Sequence, residues 1–139
     1  MKTTILLLLL AICLPMTGHA ASCDQQLRDD VDAASQLLNK AQEAKSFDDA
    51  KRGMHLAKYA INKAADTART CPCDEAGALF DSAATKIGRA SNADVSGRFN
   101  HFAKQGIEEY AGAVELLNAC PASQEPPPAA QENPATPAE

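Results

Sequence analysis

Four cysteines limit what this chain can fold into. Cys23 and Cys71 stand 48 residues apart, Cys73 and Cys120 stand 47 apart, and the two stretches meet at Cys71-Pro72-Cys73. Each stretch opens and closes on a cysteine and carries helical periodicity between. Residues 24–45 read as a first helix, with Leu27, Val31, Ala34, Leu38 and Ala41 on one face. Asp24, Asp29 and Asp30 come early, and Lys40 and Lys45 late, as a helix dipole favours. Ser46-Phe47-Asp48-Asp49 is a turn with a capping start. A second helix over 48–70 repeats Phe47, Ala50, Met54, Ala57, Ile61, Ala64, Ala68 and Cys71 at strict a/d spacing, and its alanines permit close helix approach.

Pro72 ends that helix, because proline has no N–H to donate and restricts the residue before it. Asp74 and Glu75 open a third helix over 74–90, with Ala76, Phe80, Ala83, Ile87 and Ala90 facing inward. Ser91-Asn92-Ala93-Asp94 reads as the next turn and cap. A fourth helix over 94–119 carries the richest apolar face: Phe99, Phe102, Ala103, Ile107, Tyr110, Val114 and Leu117. Four helices with short turns predict an all-α, antiparallel, up-down-up-down bundle. In that topology all four cysteines fall at one end. This agreement is informative, because helix placement rests on the periodicity.

The two stretches also match each other. Cys23-Asp24 recurs as Cys73-Asp74, and Ala33-Ala34-Ser35 as Ala83-Ala84-Thr85. Asp48, Arg52, His55, Ala57, Lys58 and Ile61 recur as Asp94, Arg98, His101, Ala103, Lys104 and Ile107, each 46 positions on. The pattern predicts two copies of one helical hairpin. The pairing that respects the repeat is Cys23–Cys71 with Cys73–Cys120, one staple per hairpin. Crossed pairing, Cys23–Cys73 with Cys71–Cys120, also suits one end of a bundle, whereas a Cys71–Cys73 bond is strained. A zinc site or a redox Cys-Pro-Cys are the other uses of such cysteines. Zinc ligands come as closely spaced pairs, and Cys23 and Cys120 lack a near neighbour.

Compartment follows from the N-terminus. Lys2, a short apolar run from Ile5 to Leu14, and Gly18-His19-Ala20 read as a signal peptide over 1–20, cleaved after Ala20. The run is too short to cross a bilayer, so no stable membrane insertion is expected after cleavage. Cys13 leaves with it, and an even number of cysteines in an exported chain reads as disulfides of a periplasmic or secreted protein. Residues 21–120 then form the bundle. Residues 121–139, rich in proline and alanine, read as a disordered tail. Of 13 Lys and Arg and 18 Asp and Glu, only Lys2 precedes the cleavage site. The acidic balance argues against nucleic acid as a partner.

The chemistry-bearing residues are few. No Ser/His/Asp order, paired inward carboxylates or Gly-rich phosphate loop points to an enzyme, and no cofactor is implied. The repeated stripe comprises Arg52, His55, Leu56 and Lys58 with Arg98, His101, Phe102 and Lys104. At 100° per residue both histidines turn away from their apolar faces, toward solvent. Basic side chains beside Leu56 and Tyr59 form a mixed patch suited to a protein partner. Such a stripe also fits a solvated face, in which Asp48–Arg52 and Asp94–Arg98 are helix-stabilising pairs. His55-Leu56-Ala57-Lys58 and His101-Phe102-Ala103-Lys104 resemble the His-Ala-Lys segments of periplasmic small metal-binding proteins. Those proteins are rich in histidine, and this chain has two after the cleavage site. The resemblance implies metal binding as an alternative, and the patch's charge implies an anionic ligand as another. The expected role is a non-enzymatic interaction or structural module.

Overall fold

A computed structural model describes residues 23–120. The predicted signal peptide and the predicted tail lie outside the described residues. Four helices follow in order: α1 (Cys23–Gln42), α2 (Phe47–Thr70), α3 (Asp74–Ser91) and α4 (Ser96–Asn118). The first helix ends before the expected Lys45, so Lys45 belongs to the turn. Ser46 caps α2 as predicted: its hydroxyl accepts from the Asp49 amide at 3.1 Å. Asp94 does not cap α4. The N-cap is Val95, in extended backbone, with no side-chain capping bond. Asp94 pairs with Arg98 instead, at 3.1 Å.

Both disulfides of the repeat-respecting pairing are present, Cys23–Cys71 and Cys73–Cys120, with Cα separations of 5.4 and 5.8 Å. Each joins the start of one helix to the end of the next, so each hairpin is antiparallel. The short turn at Pro72 makes α2 and α3 antiparallel as well. All four cysteines share one end, as the periodicity required. An ion pair tightens each hairpin further along: Asp30 with Lys63 at 2.7 Å in the first, Lys86 with Glu109 in the second.

The core is built from the expected faces. Phe80, Met54, Ile61 and Ile87 are its largest fully buried side chains, and alanine supplies much of the rest. With so many small residues, burial comes from bringing helices close, since each side chain removes little area from water. Two glycines mark the closest approaches. A Cβ at Gly53 of α2 would stand 2.6 Å from the Ala41 Cβ of α1. A Cβ at Gly106 of α4 would stand 2.7 Å from the Ile87 Cδ1 of α3.

The four seams are not equal. α1 packs along α2, α2 along α3, and α3 along α4, while α1 and α4 barely meet at the backbone level. Two identical hairpins would make the α4–α1 seam a copy of the α2–α3 seam. The side chains on that seam differ in size. The buried positions of α2 recur in α4 at 49 residues, Ala50, Met54, Ala57, Ile61 and Ala64 as Phe99, Ala103, Gly106, Tyr110 and Ala113, so Tyr110 stands where α2 has Ile61. In the same register Val114 and Leu117 stand where α2 has Ala65 and Ala68. The Tyr110 ring lies against Phe80, with ring centroids 5.6 Å apart. Its hydroxyl donates to the Val31 carbonyl of α1 at 2.6 Å and sits 2.8 Å from the Ser35 hydroxyl. Tyr110 thus ties α4 to α1 by polar contacts. Ile107, Val114 and Leu117, expected in the core, are only partly covered.

Candidate functional site

Charge is divided along the bundle. Cut at the level of Asp32, Asn62, Ala83 and Tyr110, the disulfide end carries nine Asp and Glu against three Lys and Arg. The far end carries six against nine. A helix such as α2, 24 residues long, spans about 36 Å at 1.5 Å per residue. That length is several times the ~10 Å screening length at 0.1 M salt. A partner at one end therefore meets that end's charge and not the chain's net value.

The far end carries the repeated stripe, and the fold distributes it. Lys58 of α2 lies across Gly88 of α3, its Cδ 3.2 Å from where a Cβ would be. This contact brings Lys58 into one shallow concavity with Arg89 of α3 and Arg98 and Phe102 of α4, about 570 Å³ in volume. Arg89 stacks over Phe102 at 5.7 Å. A second concavity gathers Arg52 and His55 with Asp48, Lys51 and Ser91. His55 is exposed and meets Tyr59 edge-on at 5.0 Å, and exposed His101 meets Phe102 at 5.3 Å. Leu56 and Tyr59 are 55% and 58% exposed, which makes them true surface hydrophobics. Lys104 turns to the other side of α4, where it lies 3.9 Å from Glu108. The eight residues of the stripe are thus split: Lys58, Arg98 and Phe102 line one concavity, with His101 edge-on to Phe102; Arg52 and His55 line a second; Leu56 is exposed; and Lys104 lies on the other side of α4. The expected Asp48–Arg52 pair is replaced by Asp49–Arg52 at 2.8 Å, one residue closer along the helix.

Sequence reasoning missed Arg89 and Lys51. Neither belongs to the repeat, so no pattern singled them out. Among the described residues neither they nor Lys58 has a carboxylate partner within ion-pair range. Each lies over an aromatic ring instead: Lys51 over Phe47 at 5.3 Å, and Lys58 over Tyr59 at 5.9 Å. These are cations left available on a surface that also shows apolar side chains.

The buried charges have structural work. Asp30 is 4% exposed. It accepts from Lys63, from the Thr67 hydroxyl at 2.6 Å and from the Gln26 amide at 3.2 Å. Burial pushes its carboxyl up, but the three hydrogen bonds and the Lys63 charge outweigh that and hold it below the usual carboxylate range. It is a satisfied strut between α1 and α2. Among the described residues no three His, Cys, Asp or Glu side chains stand together to hold a metal ion.

The open seam between α1 and α4 leaves two clefts, one on each side of Tyr110. The smaller, about 380 Å³, lies toward the disulfides and is walled by Leu27, Val31, Val114 and Leu117. The larger, about 710 Å³, lies toward the far end between the α1–α2 turn and α4. In the register of the fold, α4 carries Tyr110, Val114 and Leu117 on this seam where α2 has Ile61, Ala65 and Ala68, a difference that the 46-residue spacing of the motif conceals.

No family model, no curated protein and no solved structure matches the chain. The functional reading therefore rests on the geometry above. No described helix is long and apolar enough to cross a membrane.

Proposed function

We propose that this protein is an exported, non-enzymatic interaction module. It would act in the periplasm or outside the cell as a rigid, disulfide-stapled bundle. Its contact surface is the far end, centred on Lys58, Arg89, Arg98 and Phe102 and flanked by His55, Leu56 and Tyr59. The observation that carries the reading is the convergence of three cations from three helices on one concavity, at the basic pole of a bipolar molecule. Two features support export. The disulfides belong to an oxidising compartment, and Lys2 with the Ile5–Leu14 run has the layout of a signal peptide. The duplicated stripe is consistent with a surface inherited twice, of which the fold uses the α3-facing parts.

The partner that fits is a protein face bearing carboxylates around an apolar centre. Arginine and aromatic side chains dominate such contacts, and opposed charge steers encounter. The test is affinity capture with the mature protein against the Lys58→Glu, Arg89→Glu, Arg98→Glu variant. Partners held by the native protein at low salt and lost by the variant support the assignment. Undiminished capture by the variant would sink it. The same cluster supports a second reading, a small anionic ligand. Titration with inorganic phosphate would show it as saturable shifts at the Arg89 and Arg98 amides.

A further inference from the structure

The larger cleft of the open seam has a chemistry unlike that of the basic pole. Its floor is apolar and aromatic: Phe47 and Phe99 meet edge-on at 5.6 Å, and Met54, Ala103 and Ile107 complete it. Its volume, about 710 Å³, falls within the ~300–1,000 Å³ usual for small-molecule pockets, which often lie between the helices of bundles. Its rim carries a lysine on each side and one carboxylate, Glu108, on the α4 side. Lys45, in the α1–α2 turn, has no carboxylate partner among the described residues, and Lys104 of α4 lies 3.9 Å from Glu108, too far for a tight pair.

We propose that this cleft binds an amphiphile with one hydrocarbon chain and one anionic head, of the fatty-acid class. The chain lies on the Phe47–Phe99 floor, and the head sits between Lys45 and Lys104 at the water's edge. Three features favour this occupant over a plain apolar surface. Tyr110, bridged to Val31 and Ser35, pins the spacing of α1 and α4 beside the cleft. The floor offers aromatic faces and a methionine, which adapt to a flexible chain. Two lysines frame the rim, and lysine presents a compact charge on a flexible stem suited to a single carboxylate.

Backbone amide NMR of the mature protein titrated with laurate tests the proposal, with acetate and dodecanol as controls. Laurate should produce saturable shifts at Phe47, Phe99, Ala103 and Ile107. Acetate should produce none, because it has no chain. Dodecanol should bind more weakly than laurate, because it has no charge. Reversing both lysines, Lys45→Glu with Lys104→Glu, should weaken laurate about tenfold and leave dodecanol unchanged. Ala44→Phe, at the half-buried mouth, should block both. Because these changes lie at the surface, unchanged helical circular dichroism and intact disulfides will confirm that each variant is folded.

Three results would overturn the proposal. One is the absence of laurate shifts at the four floor residues. Another is laurate and dodecanol binding alike with no effect of the lysine reversal, which would reduce the cleft to an unspecific apolar surface. The third is a dimer in sedimentation that Asn100→Glu, at an exposed position of the cleft, dissociates while laurate fails to bind, which would assign the cleft to a second copy of the chain.

Discussion

Tyr110→Phe isolates the bond that ties α4 to α1. The substitution keeps the ring against Phe80 and removes only the hydroxyl. That hydroxyl donates to the Val31 carbonyl at 2.6 Å and lies 2.8 Å from the Ser35 hydroxyl. The Val31 carbonyl already accepts the next-turn amide within α1, so its loss leaves no orphaned group. The half-buried Ser35 hydroxyl can turn to its own helix or to water. The loss is then two net hydrogen bonds and no full desolvation penalty, about 1–2 kcal/mol together. For a domain of this size that lowers Tm by roughly 5–10 °C. Equilibrium unfolding in urea with the disulfides intact measures it. The same variant carries a pH signature. Burial pushes the Tyr110 phenol above its ordinary value, so its contribution is fully present below about pH 10 and is lost as pH rises through the higher folded value. Tyr110→Phe should flatten that alkaline limb. A loss below about 0.3 kcal/mol with the alkaline limb unchanged would refute the role given to Tyr110, since additive errors are about that size.

Four further outcomes follow from the geometry. The depressed Asp30 carboxyl stabilises the fold above about pH 4, and that stability is lost as pH falls through the folded value; Asp30→Asn should flatten the acid limb in pH-dependent urea melts. Removing the first staple with Cys23→Ala and Cys71→Ala should cost up to about 4 kcal/mol, from the chain-entropy relation for its loop, read as a shifted urea midpoint. Gly106→Ala should destabilise despite alanine's better helix propensity, because its Cβ meets Ile87 side chain and backbone. Gly97→Ala, with nothing within 4 Å, should be neutral or stabilising by up to about 1 kcal/mol; thermal melts of this pair compare the two sites directly.

Much of the architecture is legible in residue order. The inward faces of Leu27, Val31, Ala34 and Leu38 and of Ala76, Phe80, Ala83 and Ile87 are buried as the three-four spacing requires. Pro72 marks a true helix end, and the disulfide pairing follows the repeat. Helix starts were less legible where no side chain announced them. Asp94 has the chemistry of a cap, yet Val95 takes the position. The Asp94 carboxylate, just outside the cap, pairs with Arg98, and the first turn of α4 has no side-chain capping bond.

The candidate sites were legible only in part. Helical geometry places His55, His101, Leu56 and Tyr59 on the surface, because the direction of a side chain on its own helix follows from its register. Which of them meet depends on how helices rotate against one another, and no single helix contains that information. Lys58 shares a concavity with Arg98 only because it lies across Gly88, and Arg89 enters only because α3 lies between α2 and α4.

The sequence by itself determined a four-helix, antiparallel bundle with its cysteines gathered at one end, since periodicity, a proline and cysteine spacing are local quantities. Tertiary structure alone decided that one seam stays open. Tyr110, Val114 and Leu117 where the other hairpin carries Ile61, Ala65 and Ala68 are small differences in a list of residues. Between two packed helices they are side-chain widths, and packed interiors cannot absorb that volume. The two clefts lie along that seam, on either side of Tyr110.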